Sequence, residues 1–380
     1  MNHLLRPVYS PALRMKKGEL EGVRQLAEAV ADCILPRFIV PPQIERDKTG
    51  PLLIEAEAEP DISVALGDHW RQRPVLVDTT YIIDEYGRDR LAIWLSAMFE
   101  RARDRSVKAI PMALLRDLTG VEVDAFRAVI AADERTKFAI CVSSEEMVGP
   151  EFGRCLGKVL DGLRLSPEDC AVLVDFSGSE FSNPEIVAPI ISGALENVQD
   201  FGRWQQIIFQ GTHYPETNPA QDGSVNVWPR NEWLAWQKAV KFDPTTEEYM
   251  IFGDYAADCA KMKFGKSGAP AIRHIRYATS NSWRIQRAVK SGTDAHRMRG
   301  VYKAILNCDD FAGESFSQAD AYIAHAASDF ITNPGSAATW RQINTTHHIT
   351  RVVTDIADVR GITLKKASAN KLSVQLPLPV

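Results

Sequence analysis

Eight short β-branched or aliphatic runs alternate with helical stretches along this chain, and most of the runs end on, or lead directly into, a polar or charged residue. They are Val8–Leu13, Phe38–Ile44, Val75–Tyr81, Ala109–Leu115, Phe138–Ser143, Ala171–Ser177, Gln206–Thr212 and Met250–Ala256. Near-continuous apolar strands separated by helices are strands covered on both faces, and these form parallel sheets. Eight such units close a (β/α)8 barrel of the TIM type, whose chemistry sits where the strands end.

Barrels of this kind use ~250 residues as one unit. A chain of 380 residues therefore reads as a barrel over residues 1–262 with a C-terminal region, 263–380, packed on it. An apolar fraction of 45% allows an ample core, so neither metal nor disulfide is needed for folding. The six cysteines, Cys33, Cys141, Cys155, Cys170, Cys259 and Cys308, lack CxxC pairing, and most fall inside strands or helices as small apolar residues. A net charge of −5 argues against generic binding of duplex DNA, which needs a basic surface. The N-terminus holds no apolar run of signal-peptide length and no stretch suits a membrane span, so a cytoplasmic protein is expected.

The first helix is expected over Glu19–Ile34, ended by Pro36. A polar, acidic insert follows Glu45, and long βα loops often form lids or binding walls. Further helices are expected near Ile62–Arg71, over Arg88–Arg105, from Val121, from Pro150 and after Asn183-Pro184, where Asn183 reads as the N-cap. The segment His213–Arg230, rich in Pro, Asn, Gly and Asp, reads as a mobile loop overhanging the barrel mouth. Beyond a linker at Lys263–Pro270, Ala271–Thr279 and Ser282–Val289 read as an antiparallel hairpin, with helices at Asp294–Leu306, Ser317–Ile331 and Thr339–Val359. Leu372–Leu378 reads as a short strand or tail.

Candidate catalytic residues lie at the strand ends: Glu45 on the second, Asp78 on the third, Asp175 on the sixth, Asp254 on the eighth, with His213 just past the seventh. A carboxylate inside an apolar strand is expensive to bury unless paired or functional. Carboxylates on strands of one barrel are expected to converge at its open end. Neighbouring strands lie ~4.8 Å apart, so Glu45 and Asp78 would raise one another's pKa or share a cation. Oxygen-only ligands would favour Mg or Mn, or Ca, over Zn. Asp175 would face Asp78 across the mouth, as paired carboxylates do in glycosidases. No GxGxxG, P-loop, HExxH or GxSxG motif occurs in the context that would give it meaning.

Lys17, just before the first helix, is a candidate anion contact, as are Arg276 and Tyr277 in a basic, aromatic stretch running from Arg273 and His274 to Trp283, Arg284 and Arg287. Tyr255, like Tyr81 and Tyr214, could form an aromatic platform, and His347 of the His347-His348 pair could line the mouth. Adjacent helical histidines point to different faces, so the pair cannot easily hold one metal. These residues suggest an enzyme of the hydrolase type acting on an anionic nucleotide or phosphodiester. Glycoside hydrolysis by Asp78 and Asp175 is an alternative.

Several segments resemble the beta-protein family, which takes its name from a bacteriophage T4 protein: Tyr9-Ser10-Pro11 with Lys17-Gly18-Glu19-Leu20, Pro41–Glu45, VLVDTT, VDFSGS, FGDYA, Ile275–Thr279, and Trp340-Arg341 with His347-His348-Ile349-Thr350. The resemblance spans nearly the whole chain. It implies an association with phage–host conflict, and with it a second alternative: a non-catalytic binding or sensor component of an anti-phage defence system, working with a partner protein.

Overall fold

The structure, a computed structural model, describes residues 7–42, 60–242, 250–261, 272–328, 333–361 and 364. The first half runs β1 (Tyr9–Arg14), α1 (Lys17–Arg24), α2 (Glu28–Ala31), β2 (Arg37–Ile39), α3 (Ser63–His69), β3 (Pro74–Asp78), α4 (Ile83–Tyr86), α5 (Leu91–Asp104), β4 (Lys108–Leu114), α6 (Val121–Ala128), β5 (Phe138–Ser143), α7 (Ser144–Met147) and α8 (Phe152–Leu163). The second runs β6 (Cys170–Asp175), α9 (Pro184–Phe201), β7 (Gln206–Gln210), β8 (Val225–Pro229), α10 (Asn231–Phe242), β9 (Met250–Asp254), β10 (His274–Ala278), β11 (Ser282–Arg287), α11 (Asp294–Leu306), α12 (Gln318–Ala327) and α13 (Ala337–Arg360).

Strands β1 to β7 and β9 close into a barrel, each paired in parallel with its neighbours, and β9 closes the ring onto β1. The expected (β/α)8 barrel is therefore present, with its eight strands drawn from the eight apolar runs. No helix among the described residues is long and apolar enough to cross a membrane. The pleat sorts the strand residues into two cores. Leu76, Ile110, Met112, Ala139, Cys141, Ala171, Leu173, Ile208 and Ile251 pack inside the ring. Their neighbours, among them Val75, Val77, Ile140, Val172, Val174, Phe209 and Phe252, face the helices.

Two local expectations change and one holds. The first helix is broken into α1 and α2, because Ala27 takes an extended ψ of 143°. The segment 213–230 is not one long loop: Val225–Pro229 forms β8, antiparallel to β11, so the expected hairpin of β10 and β11 grows into a three-stranded sheet. Asn183 caps α9 as expected, its side chain accepting from the Glu185 amide at 3.1 Å. The linker at 263–270 and the segment 372–378 lie outside the described residues.

Helix α13 has 24 residues and so spans ~36 Å, enough to serve two bodies. Its first half packs with β10 and α12, where Trp340 and Ile343 join a core with Ile275, Tyr277, Met298, Tyr302 and Ile323. Its second half supplies Ile349, Val352, Val353 and Ile356 to the core around the barrel. There it fills the helix position that follows the eighth strand, and Arg360 reaches back to the Met250 carbonyl at 2.5 Å.

Helix α1 lies against α13 at unusually short range, and Gly18 and Gly22 make this approach possible. A Cβ on Gly18 would stand 2.7 Å from the Ala338 carbonyl oxygen, and one on Gly22 would stand 2.7 Å from Thr345 Cβ. The Thr346 hydroxyl crosses the same seam to the Gly22 carbonyl at 2.9 Å. In an exposed helix Gly→Ala is favourable by ~1 kcal/mol; at Gly22 overpacking against the branched Thr345 side chain and the Gln342 carbonyl reverses the sign. Gly22→Ala should lower unfolding free energy by about 1–3 kcal/mol, read as a lower urea midpoint at unchanged slope. An unchanged or higher midpoint would show that the two helices can part freely.

Candidate functional site

The phase of each strand decides where its carboxylate goes. Asp78 stands two residues past Leu76 and Asp175 two past Leu173, so both point into the ring. Arg14, Arg37, Ser143 and Gln210 share that phase, and Tyr255 follows β9 on the inner side with Ala12 and Ile39. Asp254 is two past Phe252, which packs against Trp233 and Trp236 of α10, so it faces the helices instead. Glu45 lies outside the described residues. The strand-end carboxylates thus divide, two inward and one outward.

Inside the mouth, Arg37 donates to Asp78 Oδ2 from Nε at 3.0 Å and from Nη2 at 2.7 Å, and the Thr80 amide donates to Oδ1 at 3.0 Å. Asp78 is fully buried and Arg37 nearly so. A strand arginine at this depth needs a counter-charge, and Asp78 supplies it across one strand spacing. The third guanidinium nitrogen, Nη1, is buried without a hydrogen-bond partner. An orphaned buried donor is uncommon, because it forfeits its hydration. Asp175 is half-buried and accepts from the Ser177 amide at 2.8 Å, with no ion pair among the described residues. Burial pushes the Tyr255 hydroxyl pKa well above its ordinary value, with the charge of Asp175 adding to the rise.

At the rim, three arginines share one carboxylate. Asp258, on the turn after β9, accepts from Arg341 at 2.6 Å and Arg276 at 2.8 Å, with Arg14 at 3.5 Å. Burial alone would raise the Asp258 pKa, but Arg341, Arg276 and Arg14 hold it far below the usual carboxylate range. The turn itself is strained: Ala256 and Ala257 both adopt left-handed backbone, at φ 47° and 61°, a conformation that costs a non-glycine residue ~1–2 kcal/mol. Two anchors fix it, the Ala256 amide on Asp254 Oδ1 at 2.8 Å and Arg276 Nη1 on the Ala257 carbonyl at 2.7 Å.

The outward-facing Asp254 builds a structural joint. It accepts from the Tyr9 hydroxyl at 2.5 Å and from His348 Nε2 at 2.7 Å, while Trp283 Nε1 donates to His348 Nδ1 at 3.4 Å. Burial would raise the Asp254 pKa, yet His348 and Tyr9 hold it below the ordinary value. Burial lowers that of His348 despite Asp254, consistent with a neutral ring carrying its proton on Nε2. His347, one residue earlier, turns to the other body: Nε2 meets the Ala278 carbonyl at 2.8 Å and Nδ1 meets Asp320 at 3.0 Å. Tyr277 stacks on that ring at 3.8 Å and donates to Asp320 at 2.7 Å. Tyr277 and His347 are each 1% exposed, in a sealed cluster apart from the mouth. The two histidines do point to different faces, as helix geometry requires.

His213 is half-buried, stacked on Trp228 with centroids 5.6 Å apart, and burial lowers its pKa. Its amide donates at 3.0 Å to Glu232, whose carboxyl burial pushes up to about 8 despite nearby Arg230. Lys17 is exposed at the start of α1. Among the described residues no three His, Cys, Asp or Glu side chains come together as a metal site. The six cysteines are free thiols. Of the sequence candidates the mouth and its rim gather Asp78, Asp175, Tyr255 and Arg276; Asp254, Tyr277 and His347 lie elsewhere. Sequence reasoning named Arg341 only beside Trp340 and passed over Arg14, Arg37 and Asp258, although a charged residue beside Phe38 in an apolar strand was a usable signal for Arg37.

A family model described as Beta protein matches residues 9–354. The chain belongs to the Beta protein family. The match starts in β1 and ends inside α13, so the family unit takes in the barrel, the added sheet and the helix that joins them. Neither the comparison with curated proteins nor that with solved structures gives a match.

Two outcomes separate the joint from the mouth. Asp254→Ala orphans three buried donors, the Tyr9 hydroxyl, His348 Nε2 and the Ala256 amide, and should cost about 2–4 kcal/mol of stability, whereas Asp175→Ala should stay within about 0.5 kcal/mol; equal losses would contradict the division. The pH dependence has a definite sign. Unfolded, His348 protonates below about pH 6.5; folded, its pKa is depressed. Stability is therefore full above that value and falls as pH drops toward the folded pKa, at about 1.4 kcal/mol per pH unit. Urea unfolding of His348→Gln, which keeps a donor for Asp254, should show a shallower loss between pH 6.5 and 5. An unaltered slope would contradict the neutral ring.

Proposed function

We propose that the barrel mouth binds a small anionic ligand of nucleotide or phosphodiester type, and that Asp175 transfers the proton in its hydrolysis. The observation that carries this reading is Arg37 Nη1, a buried cationic donor without a partner beside Asp78, Asp175 and Tyr255. A guanidinium pinned by two bonds to Asp78 presents its remaining N–H groups at a fixed angle, which suits a phosphate oxygen. Asp78 acts through Arg37 as a positioning residue. Asp175 takes a proton from the attacking water as its oxygen bonds to phosphorus, and the proton passes to the oxygen of the leaving alcohol when the old P–O bond breaks.

One observation favours a second reading, a binding or sensor component without turnover: Asp78 and Asp254 are both committed to internal partners, which leaves Asp175 alone for acid–base work among the described strand ends. The family resemblance would set either activity in phage–host conflict, with a partner protein in the second case. Asp78–Asp175 glycoside hydrolysis loses ground because Asp78 is tied to Arg37.

A panel of nucleotides and phosphodiesters, assayed with the purified chain and with Asp175→Asn, tests the reading. Turnover should fall by at least about 100-fold, with the melting temperature unchanged and binding of the ligand retained. Binding without turnover in the unaltered chain would favour the sensor reading, and no binding at all would overturn both.

A further inference from the structure

The helices that follow β4 and β5 do not close on each other along their whole length. Helix α6 is tied to the last turn of α8: Arg127 donates to the Gly162 carbonyl at 2.7 Å, and a Cβ on Gly162 would stand 2.7 Å from Val123 Cγ1. Away from this tie the two walls part and leave a cavity of about 630 Å³ on the outer side of the barrel. That volume falls within the ~300–1,000 Å³ typical of small-molecule sites.

One wall is the face of α8 that carries Phe152, Cys155, Val159 and Gly162, spaced three, four and three residues apart. Such a stripe spans ~15 Å of helix, so the cavity is a groove and suits a chain better than a compact ring. Leu118 and Val123 form the facing wall. The apolar surface continues outside, where Val121 and Val148, 68% and 80% exposed, adjoin the lining residues Gly120 and Gly149. Single exposed valines are ordinary, but two beside one groove extend its apolar edge.

The charge at the groove has a definite sign. Three acids line it, and each is engaged: Asp124 pairs with Arg127 at 2.6 Å, Glu151 pairs with Arg154, and Glu146 Oε2 accepts from the Ser143 amide at 2.8 Å. Arg116 and Lys158 also line it, both exposed. Arg116 feels the charge of its half-buried neighbour Asp117. Among the described residues, however, neither cation forms an ion pair or a hydrogen bond. An apolar groove edged by two such cations is complementary to an amphiphile with an anionic head.

We propose that the groove between α6 and α8 binds a medium-chain carboxylic acid, its chain along the Phe152–Gly162 stripe and its carboxylate held by Arg116 and Lys158. The site lies on the outside of the barrel and does not depend on the anion site in the mouth. Cys155, a free and exposed thiol on the stripe, lies under the bound chain.

Decanoate below its micellar concentration is the probe, titrated calorimetrically into the full chain. Octanoate should bind about tenfold more weakly, as the loss of two buried methylenes requires. Decanol, which lacks the charge, should also bind about tenfold more weakly than decanoate. Arg116→Gln combined with Lys158→Gln should bring decanoate down to the level of decanol, and Cys155→Trp, which fills the groove, should abolish binding. One arm needs no variant: in the unaltered chain decanoate should slow alkylation of Cys155 saturably, mapped by peptide mass against Cys308 beyond the end of α11. Decanoate that fails to bind, or that binds without protecting Cys155, would overturn the proposal. Equal affinity for decanoate and decanol would overturn it as well.

Discussion

Helix α13 is long enough to belong to two cores, and the hydrogen bonds of two adjacent histidines set where each core begins. His347 is bonded into the sheet-and-helix body through Ala278 and Asp320, and His348 into the barrel through Asp254. Consecutive helical residues point ~100° apart, so a single rigid element orients both bodies about one turn. The Gly18 and Gly22 seam brings α1 against the preceding turns of α13, from Ala338 to Thr345, and these carry Arg341 to the rim of the mouth. Arg341 reaches Asp258 because this helix is fixed at three levels.

The same joint explains why an aspartate at a strand end need not be functional. Asp254 and Asp175 both close short apolar strands, but opposite pleat phase sends one to helix α13 and the other into the mouth. Where both faces of a strand are buried, the hydrophobic run carries no alternation from which the phase can be read. VLVD therefore announces the strand in β3 and β6 without saying which way the carboxylate points. The barrel itself was legible, since the number and spacing of apolar runs do not depend on phase.

What the residues alone did not reveal lies in long-range pairing. Arg37, Asp258 and Arg341 acquire meaning only when β2, the turn after β9 and α13 are brought together, and each alone resembles an ordinary surface charge. β8 was hidden for a different reason: Val225–Pro229 is a short edge strand with alternating exposure inside a segment rich in turn formers, and its register is supplied by β11. Tyr277 and His347 were read as ligand contacts because aromatic and imidazole groups serve that purpose as often as they fill a polar core. Here they close a sealed cluster on Asp320.

The account stands on an arginine-lined mouth whose buried Arg37 Nη1 awaits an acceptor. The most direct measurement is a crystal structure of the chain soaked with phosphate, at a resolution that separates oxyanion from water. The account predicts an oxyanion bonded to Arg37 Nη1 within the ring. A mouth closed over Arg37, with that nitrogen satisfied by protein and no anion bound to it, would contradict it.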